Sequence, residues 1–350
     1  MVVKEPDAPS VSVIIATYNR APLVGRTIEN MLAQTLRPRE IIVVDDGSTD
    51  DTAEVLSGYG DPVRFIRQPN RGPAAARNAG LAMATGRFIQ FMDDDDLVSL
   101  NKLQVQAEAI EQTGADMAYG PWVPLEMEGD TVTQYGHVLQ GGAVPHRLPL
   151  YEWHLRGWAL ILQSCLFTRA FLARAGALRE DLIMTEDTEF LNRIFLAGPK
   201  AAYTRECLVF YRHHGRHKLT EGGTSHAQKM VNWAQALDYM LRNLDHSERT
   251  LAGTTRFRLS HFVWRICREI RGGNAVSSEA KERLERVARR YPHWLFALFS
   301  AWLRVAGPIR TRLTGTNWTP PFRPRRIQPA DLRLIREAGI HFEPGLARPW

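Results

Sequence analysis

Residues 87–96 read RFIQFMDDDD, so an apolar segment runs directly into four consecutive aspartates. The apolar part, Arg87–Met92, is predicted to be a buried strand. Three similar runs, short and rich in β-branched residues, precede it along the chain: Val11–Ala16 (VSVIIA), Glu40–Val44 (EIIVV) and Val63–Ile66. The sequence therefore predicts four strands before the aspartates.

Segments with helical spacing lie between and after these strands. We predict helices over Pro22–Leu36, Asp51–Leu56, Gly72–Thr85 and Asn101–Gln112. Strands that alternate with helices indicate an α/β fold built on a mostly parallel, doubly wound sheet. Because ligands of such sheets bind outside the carboxyl ends of the strands, function is expected there.

Polar clusters follow three of the four predicted strands, at Thr17–Asn19, Asp45–Asp46 and Asp93–Asp96. We expect them to meet at one edge of the sheet. Adjacent carboxylates repel one another, and a bound cation relieves that repulsion. Carboxylate oxygens suit Mg²⁺ or Mn²⁺, so the last cluster is predicted to hold one of these ions. The alternative is a solvated acidic turn in which Asp96 caps the next helix.

Three other classes of acidic or phosphate-binding loop do not fit. A phosphatase of the haloacid type needs Asp-Xaa-Asp after a strand, but Gly47 occupies the third position after Asp45. The same segment lacks the alternating oxygen ligands of an EF-hand. After the first strand, residues 16–20 read ATYNR, which is neither a Walker A loop nor a GxGxxG fingerprint.

The 350 residues carry a formal net charge of +6 that is unevenly distributed. Residues 251–350 contain 19 lysines and arginines against 7 acidic residues, whereas residues 1–250 contain 25 against 31. Beyond about Gln228 the chain is predicted to be mainly helical, over Met230–Leu244, Phe257–Ile270 and Glu279–Arg290. No recognised motif accompanies the charge, so a nucleic-acid partner is not expected. Three widely spaced cysteines predict neither a disulfide framework nor a structural zinc site.

Five segments resemble, in order and spacing, the motifs of family 2 glycosyltransferases, which have the GT-A (Rossmann-like) fold. They are VSVIIATYNR, EIIVVDDGSTDDT, GPAAARNAGL, FIQFMDDDDLVSLNKL and MTEDTEF. The resemblance covers roughly residues 10–220. It implies inverting transfer of a sugar from a nucleotide-diphosphate sugar, expected to be a UDP-sugar. The implied acceptor is a hydroxyl of a saccharide or lipid-linked molecule, in cell-surface polysaccharide or glycan biosynthesis.

The resemblance also assigns residues to the donor site. Those expected at the nucleotide, its ribose or its diphosphate are Thr17, Tyr18, Asn19, Asp45, Arg77, Asp93 and Asp94. Asp95 is expected to bind Mn²⁺ or Mg²⁺ directly, and His214, or its neighbour His213, is expected to reach the metal or the diphosphate. Two alternatives stay open, namely Arg77 as a surface cation and Tyr18 as a core aromatic residue. Leu100 departs from the family pattern, which usually has proline there.

Thr185-Glu186-Asp187 matches the family's Glu-Asp motif, in which the aspartate is the base. The resemblance therefore implies that Asp187 removes the proton from the acceptor hydroxyl and that Glu186 orients Asp187 or the acceptor. Both carboxylates also precede an apolar helical face, where negative charge is favourable, and the two roles are compatible. Residues expected beside the acceptor sugar are Trp158, Gln163 and Ser164.

Two parts of the chain are predicted, a GT-A catalytic domain over residues 1–225 and a basic helical extension over residues 226–350. In the extension, Trp and Arg beside apolar residues suit either a helix at a membrane surface or a helical subdomain that contacts the acceptor or a second copy of the chain. No apolar run is long enough to span a bilayer. We expect a cytoplasmic protein. If the extension forms a helix at a membrane surface, the protein is expected to be peripheral at the inner face of the plasma membrane.

No QxxRW motif follows the Glu-Asp motif, so addition of one sugar is favoured over polymer synthesis. The competing hypothesis is a non-catalytic nucleotide-sugar-binding or scaffold protein on the same fold.

Overall fold

The computed structural model describes residues 9–145, 147–158, 160–213, 226–271, 278–292, 294 and 325–342. Its central sheet contains β1 (Val11–Thr17), β2 (Glu40–Asp45), β3 (Val63–Arg67), β4 (Phe88–Asp93), β6 (Met117–Tyr119), β9 (Cys165–Thr168) and β10 (Ala201–Tyr203). These strands lie in the order β10-β6-β9-β4-β1-β2-β3. The β1–β2, β1–β4, β2–β3 and β6–β10 pairs are parallel, and β9 runs antiparallel to β4 and β6. The predicted α/β fold with a mostly parallel sheet is confirmed.

A second, smaller sheet lies beside the central one. It contains β5 (Leu97–Val98), β7 (Trp122–Glu128), β8 (Thr131–Tyr135), β11 (Val209–His213) and β12 (His341–Phe342), in the order β12-β8-β7-β11-β5. β5 follows the aspartate run after a sharp turn, and β11 pairs with β5 on one side and β7 on the other. The second sheet therefore holds the chain on both sides of the acidic cluster.

The helices are α1 (Ala21–Leu32), α2 (Thr52–Ser57), α3 (Pro73–Met83), α4 (Lys102–Thr113), α5 (Leu150–Leu155), α6 (Arg169–Ala175), α7 (Glu186–Leu196), α8 (His226–His246), α9 (Gly253–Arg271), α10 (Ser278–Arg290) and α11 (Pro329–Glu337). The helices predicted between the first strands and those predicted in the C-terminal part correspond to α1–α4 and α8–α10. Their ends differ from the predicted ends by a few residues, which is where sequence patterns carry the least information.

Strand register brings the polar clusters together. Thr17, the last residue of β1, pairs with Asp45 at the end of β2, and Ala16 pairs with Asp93 at the end of β4. The three strand ends are therefore level with one another at one edge of the sheet, as the alternation of strands and helices predicts.

The C-terminal helices share a hydrophobic core with the central sheet. One cluster of buried side chains joins Phe91 of β4 and Phe190 of α7 to Leu241 of α8 and Val263 of α9. Part of the extension is thus packed against the helix that carries Glu186 and Asp187. The division of the chain at residue 225 stays a prediction.

No helix within the described ranges is both long and apolar enough to cross a bilayer. Trp294 is exposed, and the apolar segment that follows it in the sequence lies outside the described residues. A membrane-surface role for the extension therefore stays a prediction. All three cysteines are buried free thiols.

Residues late in the chain close the second sheet. β12 pairs in parallel with β8, and the Arg325 main chain bonds to Val138. Arg26 of α1 donates to the carbonyl of Gly339 at 3.1 Å and pairs with Asp130 at 2.9 Å. This segment, residues 325–342, thereby connects the second sheet to the first helix of the central one.

We predict that Gly80→Ala destabilises the fold. A Cβ at Gly80 in α3 would lie 2.5 Å from Cγ2 of the buried Ile14 in β1, far inside van der Waals contact. Overpacking of this kind costs about 1–3 kcal/mol, of which the higher helix propensity of alanine returns about 1 kcal/mol. The matched control is Gly60→Ala, because a Cβ there meets nothing within 4 Å. Urea unfolding that finds Gly80→Ala as stable as Gly60→Ala would contradict the packing described.

Candidate active site

The loop after β2 is held by its own aspartates. Asp45 is fully buried, accepts a 2.8 Å hydrogen bond from the Ser48 amide and lies 3.4 Å from Nε of Arg67. Asp46 accepts from the amides of Arg71 and Gly72, which fixes the entry to α3. The role of Asp45 at the nucleotide stays a prediction, but its position at the functional edge is the predicted one.

Gly47 makes the turn between these contacts. Its φ is +83°, a left-handed conformation that favours glycine, and a Cβ would lie 2.9 Å from the Asn70 amide nitrogen. The close approach of the two loops therefore depends on glycine at this position. The same Gly47 is what excluded an Asp-Xaa-Asp phosphatase motif.

The turn after β1 presents an aromatic ring to solvent. Tyr18 is 44% exposed, so the alternative of a core aromatic residue is wrong. Asn19 follows with φ +53°, and its Oδ1 accepts a 2.7 Å hydrogen bond from the Thr49 amide. Thr17 is buried at the strand end, and its carbonyl accepts from the Asp46 amide. Asn19 and Thr17 thus fix this turn against the β2 loop and leave the Tyr18 ring accessible.

Three carboxylates converge at the end of β4. Oxygens of Asp93, Asp95 and Asp96 all lie within 4.8 Å of one another. Gln163 donates its amide protons to both Asp93 and Asp96, at 2.8 Å to Asp96. The Arg212 amide donates to the other Asp96 oxygen at 2.9 Å. The interpretation of Asp96 as a helix cap is therefore wrong, because its carboxylate is bound to β11 and to Gln163.

Asp94 is not one of these three carboxylates and is buried. Burial, and then the negative charge of Asp95, raise the pKa of Asp94 to about 7. Asp93 and Asp95 provide the predicted ends of the Asp-Xaa-Asp motif, and Asp96 adds a third carboxylate that the motif did not predict. Three clustered carboxylates form the all-oxygen donor set that Mg²⁺ and Mn²⁺ prefer, so the residues present fit the expected metal.

The two histidine candidates differ in what the structure describes. His213 is the last residue of β11, and its ring packs edge-on against Tyr211 at 5.2 Å between centroids. His214 lies outside the described residues, so its role stays a prediction.

Arg77 links the acidic cluster to the Glu-Asp motif. One guanidinium nitrogen donates to Asp93 and another to Glu186, both at 2.7 Å. The side chain is 9% exposed, so the interpretation of Arg77 as a surface cation is wrong. Burial alone would lower the pKa of Arg77, but the charges of Asp93, Glu186 and Asp187 outweigh it and raise that pKa. Arg77 is therefore a permanent cation between the two halves of the site.

Asp187 is half-buried in the first turn of α7. It accepts a 2.6 Å hydrogen bond from the Thr188 amide. Burial, and then the charge of Glu186, raise the pKa of Asp187 to about 7, although Arg77 opposes the shift. His154 of α5 lies 2.9 Å from the Thr188 carbonyl through Nε2, so α5 contacts the turn that carries Asp187.

Sequence reasoning missed two contacts that arrange the carboxylates. Gln163, expected beside the acceptor, instead donates its side-chain amide to Asp93 and Asp96, and the main-chain amide of Arg212 in β11 donates to Asp96. The other two residues expected near the acceptor are enclosed by protein: Trp158 donates to Gln140, and Ser164 donates to a neighbouring carbonyl. The run Tyr211-Arg212-His213 was the available sequence signal for Arg212, but only its histidine was predicted to have a role.

The edge of this parallel-rich α/β sheet carries a carboxylate cluster that Arg77 joins to Glu186, the neighbour of Asp187 in α7. A cluster of this kind at the carboxyl ends of parallel strands is typical of an enzyme active site. Comparison with known proteins identifies the family to which the chain belongs. Residues 12–178 match the model of Glycosyl transferase family 2.

Several similar proteins are also named as glycosyltransferases. The chain is 35% identical over 235 residues to the glycosyltransferase GlyG of Streptococcus pneumoniae serotype 4, a match that covers 63% of this chain and 77% of that protein. It is 30% identical over 217 residues to the uncharacterized glycosyltransferase EpsJ of Bacillus subtilis, over 58% of this chain and 61% of that one. An uncharacterized glycosyltransferase of Rickettsia felis is 38% identical over 121 residues, which cover 34% of this chain and 20% of the relative.

A solved structure has a similar fold. Residues 1–349 of S. aureus TarS, in complex with UDP-GlcNAc, match with a TM-score of 0.61 at 17% identity, over 91% of this chain and 97% of that one. The chain belongs to glycosyltransferase family 2, and the hypothesis of a non-catalytic scaffold is thereby disfavoured. It spans 20% and 61% of the length of the Rickettsia and Bacillus relatives respectively.

We predict that Gln163→Ala weakens divalent-cation binding. Without the amide that holds Asp93 and Asp96 in place, the carboxylates lose their relative orientation, and loss of such a supporting contact costs about 10–100-fold in metal affinity. Mn²⁺ titration by calorimetry measures the change. The control is Gln104→Ala in α4, an exposed glutamine whose amide contacts Glu108. Equal Mn²⁺ affinity in the two variants would contradict the positioning role of Gln163.

Proposed function

We propose that this protein transfers one sugar from a UDP-sugar to a hydroxyl of a saccharide or lipid-linked acceptor, with inversion at the anomeric carbon and Asp187 as general base. The observation that carries the proposal is the Arg77 bridge, because it joins Asp93 on the donor side to Glu186 beside the base, with 2.7 Å contacts to both. Donor and acceptor chemistry can then occur on the two sides of one hydrogen-bonded network.

The donor half is supported by the carboxylate cluster. Asp93, Asp95 and Asp96 would hold Mn²⁺ or Mg²⁺, and that ion, when bound, supplies charge stabilisation for the departing diphosphate. The exposed ring of Tyr18 beside buried Asp45 would receive the base of the nucleotide. A UDP-sugar is favoured because the TarS structure with a similar fold is a complex with UDP-GlcNAc.

The acceptor half depends on Asp187. As the carboxylate it would accept the proton of the acceptor hydroxyl while that oxygen forms a bond to the anomeric carbon and the bond from this carbon to the diphosphate oxygen breaks. A single displacement of this kind inverts the configuration. A pKa near 7 suits a general base that works at neutral pH. Glu186, bound to Arg77, would hold the first turn of α7 in place.

A role in cell-surface polysaccharide synthesis fits the similarity to a relative named for it. The chain is 37% identical over 129 residues to succinoglycan biosynthesis protein ExoO of Rhizobium meliloti, over 36% of this chain and 37% of that protein. The basic extension over residues 226–350 would contact the inner face of the plasma membrane, the acceptor or a second copy of the chain.

Asp187→Asn is expected to lower the rate of sugar transfer by about 10²–10⁴-fold while the protein stays folded. The amide is nearly isosteric but accepts no proton from the acceptor. Because burial raises the pKa of Asp187 from its ordinary value of 3.8 to about 7, its ionisation lowers the stability of the folded state as the pH rises between these two values, with no further loss above the higher one. The variant avoids this cost, so at pH 8 it should melt at the same temperature as the wild type or at a higher one. Activity is measured as UDP release with acceptor present.

Asp51→Asn provides the matched control, since Asp51 is exposed at the start of α2 and its side chain caps no amide. We expect wild-type activity from it. Full transfer activity in Asp187→Asn would overturn the assignment of Asp187 as the base. Loss of activity in both variants would mean that the loss does not come from removal of the base.

The pH dependence offers a separate test of the base. The pKa of Asp187 is raised to about 7, and the base must be ionised, so kcat/KM should rise about tenfold per pH unit below 7 and level off above it. The measurement is kcat/KM from pH 5.5 to 9 at saturating Mn²⁺. A flat profile between pH 5.5 and 8 would exclude an Asp187 that titrates near neutrality.

A further inference from the structure

A second pocket, of about 260 Å³, opens on the C-terminal helices, where the loop between α8 and α9 meets the end of α10. Its walls include Leu244 and Leu251, and its polar lining includes Arg249, Arg256, Arg290 and the Tyr291 side chain. None of the lining residues is acidic, and none belongs to the site at the sheet edge. Three guanidinium groups around one small concavity are unexplained by the transferase chemistry.

The arginines differ in how they are held. Arg290 forms a two-pronged pair with Asp245 and lies in the last turn of α10, where a cation is favourable, so it already has a structural role. Arg249 and Arg256 pair with no carboxylate in the part of the chain that the structure describes. Their two positive charges therefore have no paired carboxylate at the pocket, and Tyr291 contributes its hydroxyl-bearing side chain to the lining.

The loop that carries these groups is fixed from beneath by α5. The Tyr151 hydroxyl donates to the Thr250 carbonyl at 2.9 Å, and the Arg249 guanidinium lies over the Tyr151 ring. The carboxylate of Glu152 accepts from the Ala252 amide at 3.2 Å and from the Thr255 hydroxyl. The loop is thus held in place before any ligand binds, which reduces the entropy cost of ordering it.

Ligand chemistry follows from charge and size. A cavity of this volume holds several water molecules and is at the lower end of small-molecule pockets. Guanidinium groups match phosphate oxygens through paired hydrogen bonds. We propose that this pocket binds a phosphate or diphosphate group, carried either by a membrane lipid or by a soluble molecule. The proposal is independent of the base and donor assignments, because it uses none of their residues.

Calorimetric titration of the full chain with sodium pyrophosphate tests the proposal, in low salt with chelator so that no cation recruits the anion to the carboxylate cluster. The pocket variant is Arg249→Gln/Arg256→Gln. The control, Arg289→Gln/Arg333→Gln, removes two charges outside the lining. We expect the pocket variant to bind at least about tenfold more weakly, as lost charge-assisted hydrogen bonds require, and the control to bind as the wild type does.

Failure of the wild type to bind pyrophosphate, or equal weakening in both double variants, would overturn the proposal. Should the pocket variant fail to fold, Arg256→Lys replaces it, because it keeps the charge and loses the paired geometry; unchanged affinity there would also count against the pocket.

Vesicles distinguish the two sources of phosphate. Flotation with phosphatidylglycerol vesicles, compared with phosphatidylcholine vesicles, is measured for the wild type and both double variants. Weaker flotation of the pocket variant than of the control indicates a lipid phosphate. Equal flotation, together with pocket-dependent pyrophosphate binding, indicates a soluble one. Both outcomes presuppose pocket-dependent binding of pyrophosphate, without which the proposal is overturned.

Discussion

The active site depends on the bridge that Arg77 forms between Asp93 and Glu186. These carboxylates come from different elements, the end of β4 and the start of α7, and each would repel its neighbours if the guanidinium were absent. A buried charge is stable when it is paired and hydrogen-bonded, and breaking such a pair is costly. Arg77 meets both conditions at 2.7 Å on each side. It therefore permits the carboxylates at the end of β4 and those at the start of α7 to share one edge of the sheet.

The sequence was sufficient for the fold and for much of this edge, because short β-branched strands and small-residue helices are local patterns. Tyr18, Asp45, Arg77 and Asp95 were identified by motif, and strand register placed their segments together. Gln163 and Arg212 could not be assigned in this way, because each reaches Asp96 from a segment distant in sequence. Contacts of that type follow from how β9 and β11 lie beside β4 and β5, which no single-segment pattern encodes.

The C-terminal helices illustrate the same limit at a larger scale. Charge and helical spacing separated them from the catalytic part, yet side chains of α8 and α9 belong to the same hydrophobic cluster as Phe91 and Phe190. Apolar periodicity predicts that a helix has a buried face but not what covers it. Here that face packs against α7, so the helix that carries Asp187 lies between the central sheet and the extension.

The segment at residues 325–342 has a consequence for how the protein is made. β8 emerges from the ribosome some two hundred residues before β12, the strand that covers it. Until then β8 is an open sheet edge, with unpaired amide and carbonyl groups available to another chain. Arg26 in α1 is likewise translated long before Gly339, the residue whose carbonyl accepts its hydrogen bond. Chaperone protection during synthesis would therefore matter most at the second sheet, while the central sheet can complete its parallel core much earlier.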